Sequence, residues 1–547
     1  MNHVAPLILV VLIAGLLITP LSADRSKGLF SGEILDVQLE EFVGDVPDTP
    51  VYVQEIEDAV KADPQDIDSW ISIGKTQLRD ENWGEAEVTF QRALGINSSS
   101  IDAWEGYLLS LGMGGDFESL LTKADEAIKK IPSSPIGYFY KGFGLHSLGR
   151  FEEAVTVYDK AIQIDPSYVL AWNNKGFALY NLNLSKEAIA AYDEAIRLDP
   201  TYARAWNNKG VALYNMSKLT EALGAYDQAL AIDSEYARVW SNKGVVLADL
   251  GRSEEAVMAY DTSLSLNPDD AETWNFKGLA LDSLGKTEEA VVAYDKALRI
   301  DPGLTAAWYN KGLSLNVLGK YDQALTALEK SLQSDPADPV AWNNKGFALY
   351  KLGRNEEAIV AYDQAIRYDT RYARAWNNKG FALYLLGRND EAIVAYDQAL
   401  TIDPTYGVAW YNKGAALDTL GRPEESIKAY DRALAIDPND ADAWNNKGLA
   451  LSTLGRNEEA VTACDRALAI NPEYAAAWNN KGLALDNMGR SEEAIRMYDQ
   501  ALHLNSELAN TWYNKGLALD ALGRTSEAAK AYDQAFRLNP GLASRGK

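Results

Sequence analysis

AWNNKGFALYKLGRNEEAIVAYDQAIRYDTRYAR, Ala341 to Arg374, is followed without a gap by AWNNKGFALYLLGRNDEAIVAYDQALTIDPTYGV, Ala375 to Val408. The wording returns after 34 residues, and the register extends through fourteen aromatic positions: Trp70, Trp104, Tyr138, Trp172, Trp206, Trp240, Trp274, Trp308, Trp342, Trp376, Trp410, Trp444, Trp478 and Trp512. A fixed period of this length means that one supersecondary unit is stacked along the chain. The repeats are numbered 1 to 14 here, from Trp70 to Trp512.

Within repeat 9, Trp342, Gly346 and Leu349 are spaced for one face of a helix. Ala358, Ile359, Tyr362, Ala365 and Ile366 keep the i, i+4, i+7 rhythm on a second. Two amphipathic helices therefore fill each repeat. Gly353 lies between them, and eleven of the fourteen repeats hold Gly in that slot, where a left-handed cap favours a residue without a Cβ; Asn183 takes it once. Four residues after the tryptophan comes Gly in thirteen repeats, and Ala predominates 16 and 23 residues after it, which lets paired helices approach closely.

At 547 residues a single core would split into domains, but a repeat array escapes that limit because each unit contacts only its neighbours. A net charge of -26 argues against nucleic acid or an anionic membrane surface as partner and favours basic or neutral ones. Cys464, the single cysteine, excludes an internal disulfide and occupies a slot held by Tyr in ten other repeats, so it reads as a small buried hydrophobe. His3, His146 and His503 are far apart, and no HExxH, CxxC, EF-hand, Walker, GxSxG or GxGxxG pattern occurs. No metal, no cofactor and no enzyme activity are expected.

Residues 1–23 carry an apolar run from Val4 to Leu21, followed by Ser22, Ala23, Asp24 and Arg25. Such a run is a signal peptide or an N-terminal membrane anchor. Ala23 suits a cleavage site while Leu21 does not, and Arg25 and Lys27 favour retention, so both alternatives stand. The expected location is extracytoplasmic, secreted or tethered to the outer face of the membrane. Residues 24–50, acidic and without helical rhythm, read as a spacer. Residues 51–66 read as a half-repeat capping helix, 67–542 as fourteen full repeats, and 543–547 as a tail. Repeat 2, with Leu108 for Gly and Leu120 for Ala, is the expected soft point. With only the tail after repeat 14, Leu519, Tyr532 and Ala535 are expected partly exposed, which raises a homo-oligomer through the C-terminal end.

The Trp, Gly, Ala and Tyr columns resemble the tetratricopeptide repeat, and the WNNKG wording is similar to repeat proteins of methanogenic archaea. The resemblance covers about 480 residues. It implies an all-α, right-handed superhelical solenoid of 34-residue helix-turn-helix units, with partners held in a concave groove. Two residues after the tryptophan stand Asn174, Asn208, Asn242, Asn310, Asn344, Asn378, Asn412, Asn446, Asn480 and Asn514, broken only by Phe276 from repeat 4 onward. The resemblance places this column on the groove, where O-linked N-acetylglucosamine transferase uses a similar ladder to hold a peptide backbone. An amide can donate to a peptide carbonyl and accept from an N–H at once. The alternative is that each Asn bonds to a neighbouring helix.

Two aromatic zones join this column: Phe177, Tyr180 and Tyr214 in repeats 4 and 5, and Phe347, Tyr350, Phe381 and Tyr384 in repeats 9 and 10. Asp282, Asp418, Asp486 and Asp520 mark acidic stretches. A groove of that kind suits an extended polypeptide with apolar and basic side chains. Three residues after the tryptophan, twelve successive repeats hold Lys from Lys141 to Lys515, with an acid such as Asp193, Asp363 or Asp397 of the same repeats as partner. The expected function is a non-enzymatic scaffold binding protein or peptide segments. A self-associating envelope component, and more remotely the targeting arm of a glycosyltransferase-like enzyme, are the alternatives.

Overall fold

The computed structural model describes residues 42–43 and 50–546. The proposed leader lies outside them, as does most of the spacer. Among the described residues the chain is all α-helical with a short 3-10 segment, and no strand occurs. The described residues form two compact units, one ending at Ala307 and one beginning at Trp308.

Each repeat is an antiparallel helix pair, for example Pro339–Lys351 and Asn355–Tyr368 in repeat 9. The turn between the two helices has a positive φ at every glycine of that slot, from 71° to 77°. Glu81, Asn183 and Ser217 adopt the same left-handed conformation at 59–61° where glycine is absent. The packing of the stack, not the local residue, therefore imposes the turn. Inside the pair, the Gly column faces the Tyr column of the second helix: a Cβ on Gly346 would lie 2.5 Å from Tyr362 Cε1. The ring fills the space that the missing side chain leaves, and Tyr158, Tyr192, Tyr226, Tyr260, Tyr294, Tyr362, Tyr396, Tyr430 and Tyr498 are fully buried.

The tryptophan column closes the joint between repeats. The indole Nε1 of Trp342 donates to the carbonyl of Pro336, six residues earlier, at 3.0 Å, and the same bond is made by Trp172 to Pro166 and by Trp478 to Pro472. Trp thus satisfies a carbonyl at the end of the preceding helix, a group that would otherwise face water or stay unpaired. The lysine column links repeats as well, but the acid belongs to the preceding repeat and not to the lysine's own: Lys379 pairs with Asp363 at 2.7 Å, Lys413 with Asp397 at 2.5 Å, Lys209 with Asp193 at 2.7 Å. Each ammonium also lies over its own tryptophan, at 5.4 Å for Lys379 on Trp376.

Two expectations need correction. Residues 24–50 read as an unpacked spacer, yet Phe42 and Val43 are helical and Val43 is buried. Phe42 lies 6.1 Å from Phe90 between ring centroids, with Lys75 Nζ 4.4 Å from its ring. The ring covers apolar surface of repeat 1. At the other end Leu519 and Ala535 are buried, Leu519 in a cluster with Leu485, Ile495 and Tyr498 of repeat 13, while the 3-10 segment Pro540–Gly546 packs on the last helix with Leu542 buried. Tyr532 alone of the three is partly exposed.

A helix, Pro50–Ala62, packs against the first helix of repeat 1. In repeat 2 the helices Ile101–Met113 and Phe117–Lys130 meet less closely than the pairs of the neighbouring repeats. Leu108 and Leu120, both fully buried, hold them apart where Gly and Ala let the others touch.

Candidate peptide-binding face

Successive first helices touch one another within each unit, as Ala203–Asn215 touches Ala237–Asp249, so side chains of the first helices form a continuous face. The asparagine column lies at the bottom of the seams in that face. Asn174, Asn242, Asn310, Asn344, Asn378, Asn412, Asn446 and Asn480 are buried, while Asn208 and Asn514 are partly exposed.

The amides serve one another. Asn412 Nδ2 donates to Asn377 Oδ1 of the preceding repeat at 3.0 Å, Asn377 Nδ2 to Asn378 Oδ1 at 3.3 Å, and Asn378 Nδ2 to Asn343 Oδ1 at 3.0 Å. The same relay runs from Asn242 through Asn207, Asn208 and Asn173 to Asn174. A third joins Asn514 to Asn479, Asn480, Asn445 and Asn446 and ends on the Tyr411 hydroxyl. Asn344 instead donates to the Val340 carbonyl of its own helix at 2.8 Å. The expected accessible ladder is therefore corrected: Asn208, Asn242, Asn378, Asn412, Asn446, Asn480 and Asn514 donate to the preceding repeat, because the seam between first helices brings neighbouring side chains within bonding distance of each other before a ligand could reach them. Asn two places after the tryptophan donates, and Asn one place after the tryptophan of the preceding repeat accepts.

The aromatic zones do reach the surface. In the N-terminal unit Phe177 is partly exposed and stacks between His146 (4.8 Å, 15°) and Tyr180 (6.4 Å, 2°). His146 is buried, also packs edge-on against Phe151 at 5.0 Å, and is pushed down to about 4 by burial. Tyr180 accepts from Asn215 Nδ2 and is pushed up to about 12 by burial, and Tyr214 donates to Asp249 Oδ2 at 2.7 Å. In the C-terminal unit Phe347, Tyr350, Phe381 and Tyr384 form one run of rings: Phe347 to Tyr350 6.2 Å, Tyr350 to Phe381 5.5 Å, Phe381 to Tyr384 6.4 Å. Tyr321 from the preceding repeat joins it, 6.3 Å from Phe347. Phe347, Tyr350 and Tyr384 are partly exposed, Phe381 is buried beneath them.

The acids of the same column are turned inward on one side. Asp282 accepts from the Tyr294 hydroxyl at 2.9 Å, Asp418 from Tyr430 at 2.7 Å, and Asp520 from Tyr532 at 2.9 Å. They fix the hydroxyls of buried Tyr294 and Tyr430 and of partly exposed Tyr532, with Asp282 and Asp418 half-buried and Asp520 exposed. Cys464 is buried, its thiol pushed up to about 12 by burial, which leaves little thiolate for chemistry. Among the described residues no cluster of side chains could hold a metal ion, and no helix is long and apolar enough to cross a membrane.

Sequence reasoning gave no role to His146, which stands eight residues after Tyr138 in the column of Tyr180, Tyr214, Tyr350 and Tyr384, nor to Tyr321, which stands thirteen residues after Trp308 in a column that holds none of the predicted rings. It noted Phe276 only as a break in the asparagine column.

Repeat-family models match this geometry along the chain. The TPR repeat model matches residues 144–183, 186–217, 314–353 and 348–387; tetratricopeptide repeat models match 241–305, 411–475 and 479–543, and 203–236 and 373–406. Together they cover more than half of the chain, which belongs to the tetratricopeptide-repeat proteins. No curated protein matches it. Among solved structures, the crystal structure of YrrB, described as a TPR protein with an unusual peptide-binding site, is 24% identical over 36% of this chain and 99% of its own, with a TM-score of 0.32. The APC/C hetero-tetramer Cut9-Hcn1 is 17% identical over 86% and 93%, with a TM-score of 0.38, and MamA 27% over 30% and 96%, with 0.28. At these TM-scores the likeness carries no argument about the site.

Proposed function

We propose that this protein is a non-enzymatic scaffold that holds extended polypeptide segments on its first-helix face. The observation that carries the reading is the aromatic run Phe347, Tyr350, Phe381 and Tyr384. Three of its rings are partly exposed, on a face where Asn378 and Asn412 are bonded to the preceding repeat. Rings in such a position offer large contact area at low entropic cost, and the net charge of -26 favours segments rich in Lys and Arg. The apolar run Val4 to Leu21 supports export, cleaved or anchored, so the segments recognised are extracytoplasmic.

The test is a peptide array probed with the purified chain and with a variant carrying Phe347→Ala, Tyr350→Ala and Tyr384→Ala. Peptides combining apolar and basic residues are expected to be retained by the first and lost by the second, with helix content unchanged by circular dichroism. Equal retention by both would remove the aromatic run from the binding face. Fractionation of cells into membrane, medium and cytoplasm tests the location; recovery in the cytoplasm would overturn it.

A further inference from the structure

The asparagine relay is interrupted at one seam of the N-terminal unit, and both ends of the missing rung are replaced together. Where repeats 6 and 7 meet, the donor slot holds Phe276 and the acceptor slot holds Ser241, which bonds through its hydroxyl to Thr273 Oγ1 at 2.7 Å. Three residues before the turn glycine of repeat 6, the slot that is Tyr180, Tyr214, Tyr350 or Tyr384 elsewhere shrinks to Ala248. These exchanges open a pocket of about 290 Å³ walled by Val245, Ala248, Phe276 and Leu279 and floored by Tyr260, with the Asp249 side of the helix at its mouth. Phe276 lies 6.3 Å from Tyr260 at 28°, so its ring stands along the wall and does not plug the opening.

The size decides what class of ligand fits. Cofactor and drug-like sites run to roughly 300–1,000 Å³. This pocket sits at the foot of that range; Val245, Ala248, Phe276, Leu279 and Ala280 give it an apolar side, Asp249 and Ser283 a polar one, and it suits one aliphatic side chain. Its mouth is acidic: Asp249 is exposed and held by the Tyr214 hydroxyl, and Asp282, one repeat further on, is held by Tyr294. No Lys or Arg is among the lining residues.

We propose that the seam between repeats 6 and 7 is a specificity pocket for an aliphatic side chain of an extended peptide whose neighbouring residues are Lys or Arg. This rests on the reading of the first-helix face as a peptide-binding surface and assigns the residue class that anchors the peptide. The aliphatic chain enters between Val245 and Leu279, and the cationic neighbours face Asp249 and Asp282.

The array's own wording supplies variants that are built to fold. Ala248→Tyr restores the residue of four other repeats and fills the pocket. The pair Ser241→Asn and Phe276→Asn restores the amide rung and removes the aromatic wall of the pocket. Labelled peptides of a Gly-Ser background, carrying one Leu between two Lys, are titrated by fluorescence anisotropy beside versions with Leu→Ser and with both Lys→Glu. The Leu peptide is expected to bind the native chain about tenfold or more tightly than the Ser version, as for one aliphatic side chain leaving water. Both sets of variants should abolish that preference while leaving binding of the Ser version unchanged, and the Glu version should bind several-fold more weakly than the Lys version. Equal affinity for the Leu and Ser peptides, or a preference that survives Ala248→Tyr, overturns the pocket. In that case, loss of all peptide binding on Phe347→Ala, Tyr350→Ala and Tyr384→Ala still upholds the wider peptide-binding reading. Absence of binding by any peptide to the native chain overturns both.

Discussion

Between repeats 10 and 11 the seam is shut by Asn412 donating to Asn377; between repeats 6 and 7 the same two slots hold Phe276 and Ser241, and a pocket opens. The helices, turns and tryptophan joints are alike on both sides. What differs is the rung together with the slot that holds Tyr384 at the shut seam and Ala248 at the open one. A third kind of seam, between repeats 3 and 4, is shut by rings, with His146 stacked on Phe177.

The comparison is set on a common baseline by the buried tyrosines. Tyr362→Ala and Tyr260→Ala each leave a cavity opposite a glycine, and about 3–5 kcal/mol of local stability is expected to go in both repeats. Native-state hydrogen exchange reads this repeat by repeat, which a single melting curve of a long array does not. A cost confined to repeat 9 would show that the open seam is loosely packed throughout.

The ring-closed seam responds to acid. His146 has its ordinary value of 6.5 in the unfolded chain and about 4 when folded, so the unfolded state binds more protons between these limits. The stabilisation is complete above pH 6.5 and is lost as pH falls toward 4, roughly 3 kcal/mol at most. Exchange protection in repeats 3 and 4 should therefore fall across that window, and His146→Gln should flatten the dependence.

The amide-closed seam is next. Asn377→Ala strands the Asn412 amide in a buried position and is expected to cost about 1–3 kcal/mol at repeats 10 and 11. Ser241→Ala at the open seam leaves only the Thr273 hydroxyl, which also bonds to Asp270 at 2.7 Å, and should cost less. Equal exchange rates in the two variants would deny the relay its role as a closure.

The smallest effect is expected where the seams do not differ. Lys379→Leu and Lys277→Leu remove half-exposed pairs with Asp363 and Asp261, so each should change stability by about 1 kcal/mol or less, with the fold retained. Thermal melts at low and high salt check this, and unfolding of either variant would make the lysine column indispensable.

Much of this was legible in the residues. Two helices per repeat, the turn glycine and the close approach of the paired helices follow from spacing alone, and of the aromatic zones Phe177, Tyr214, Phe347, Tyr350 and Tyr384 are partly exposed while Tyr180 and Phe381 are buried. The asparagine column was legible as a column but not as a depth: helical periodicity tells which way Asn378 faces, whereas its burial depends on how closely the helix of repeat 9 approaches. The lysine partner escaped for the same reason, since an acid at a fixed offset occurs both in a repeat and in the one before it. Leu542 and Phe42 stood in stretches without periodicity, so their packing on the ends of the array had no signal in the pattern.

By itself the chain's period of 34, with its Trp, Gly and Tyr columns, determined an all-α stack of helix pairs, because those residue types at those spacings can bury their apolar faces only against copies of themselves. Tertiary structure alone decided which polar groups are left for a partner. Hydrogen bonds are satisfied by whatever lies within about 3 Å, and that distance is set by the approach of neighbouring repeats, which closes the amides against each other and leaves the rings and one apolar seam open.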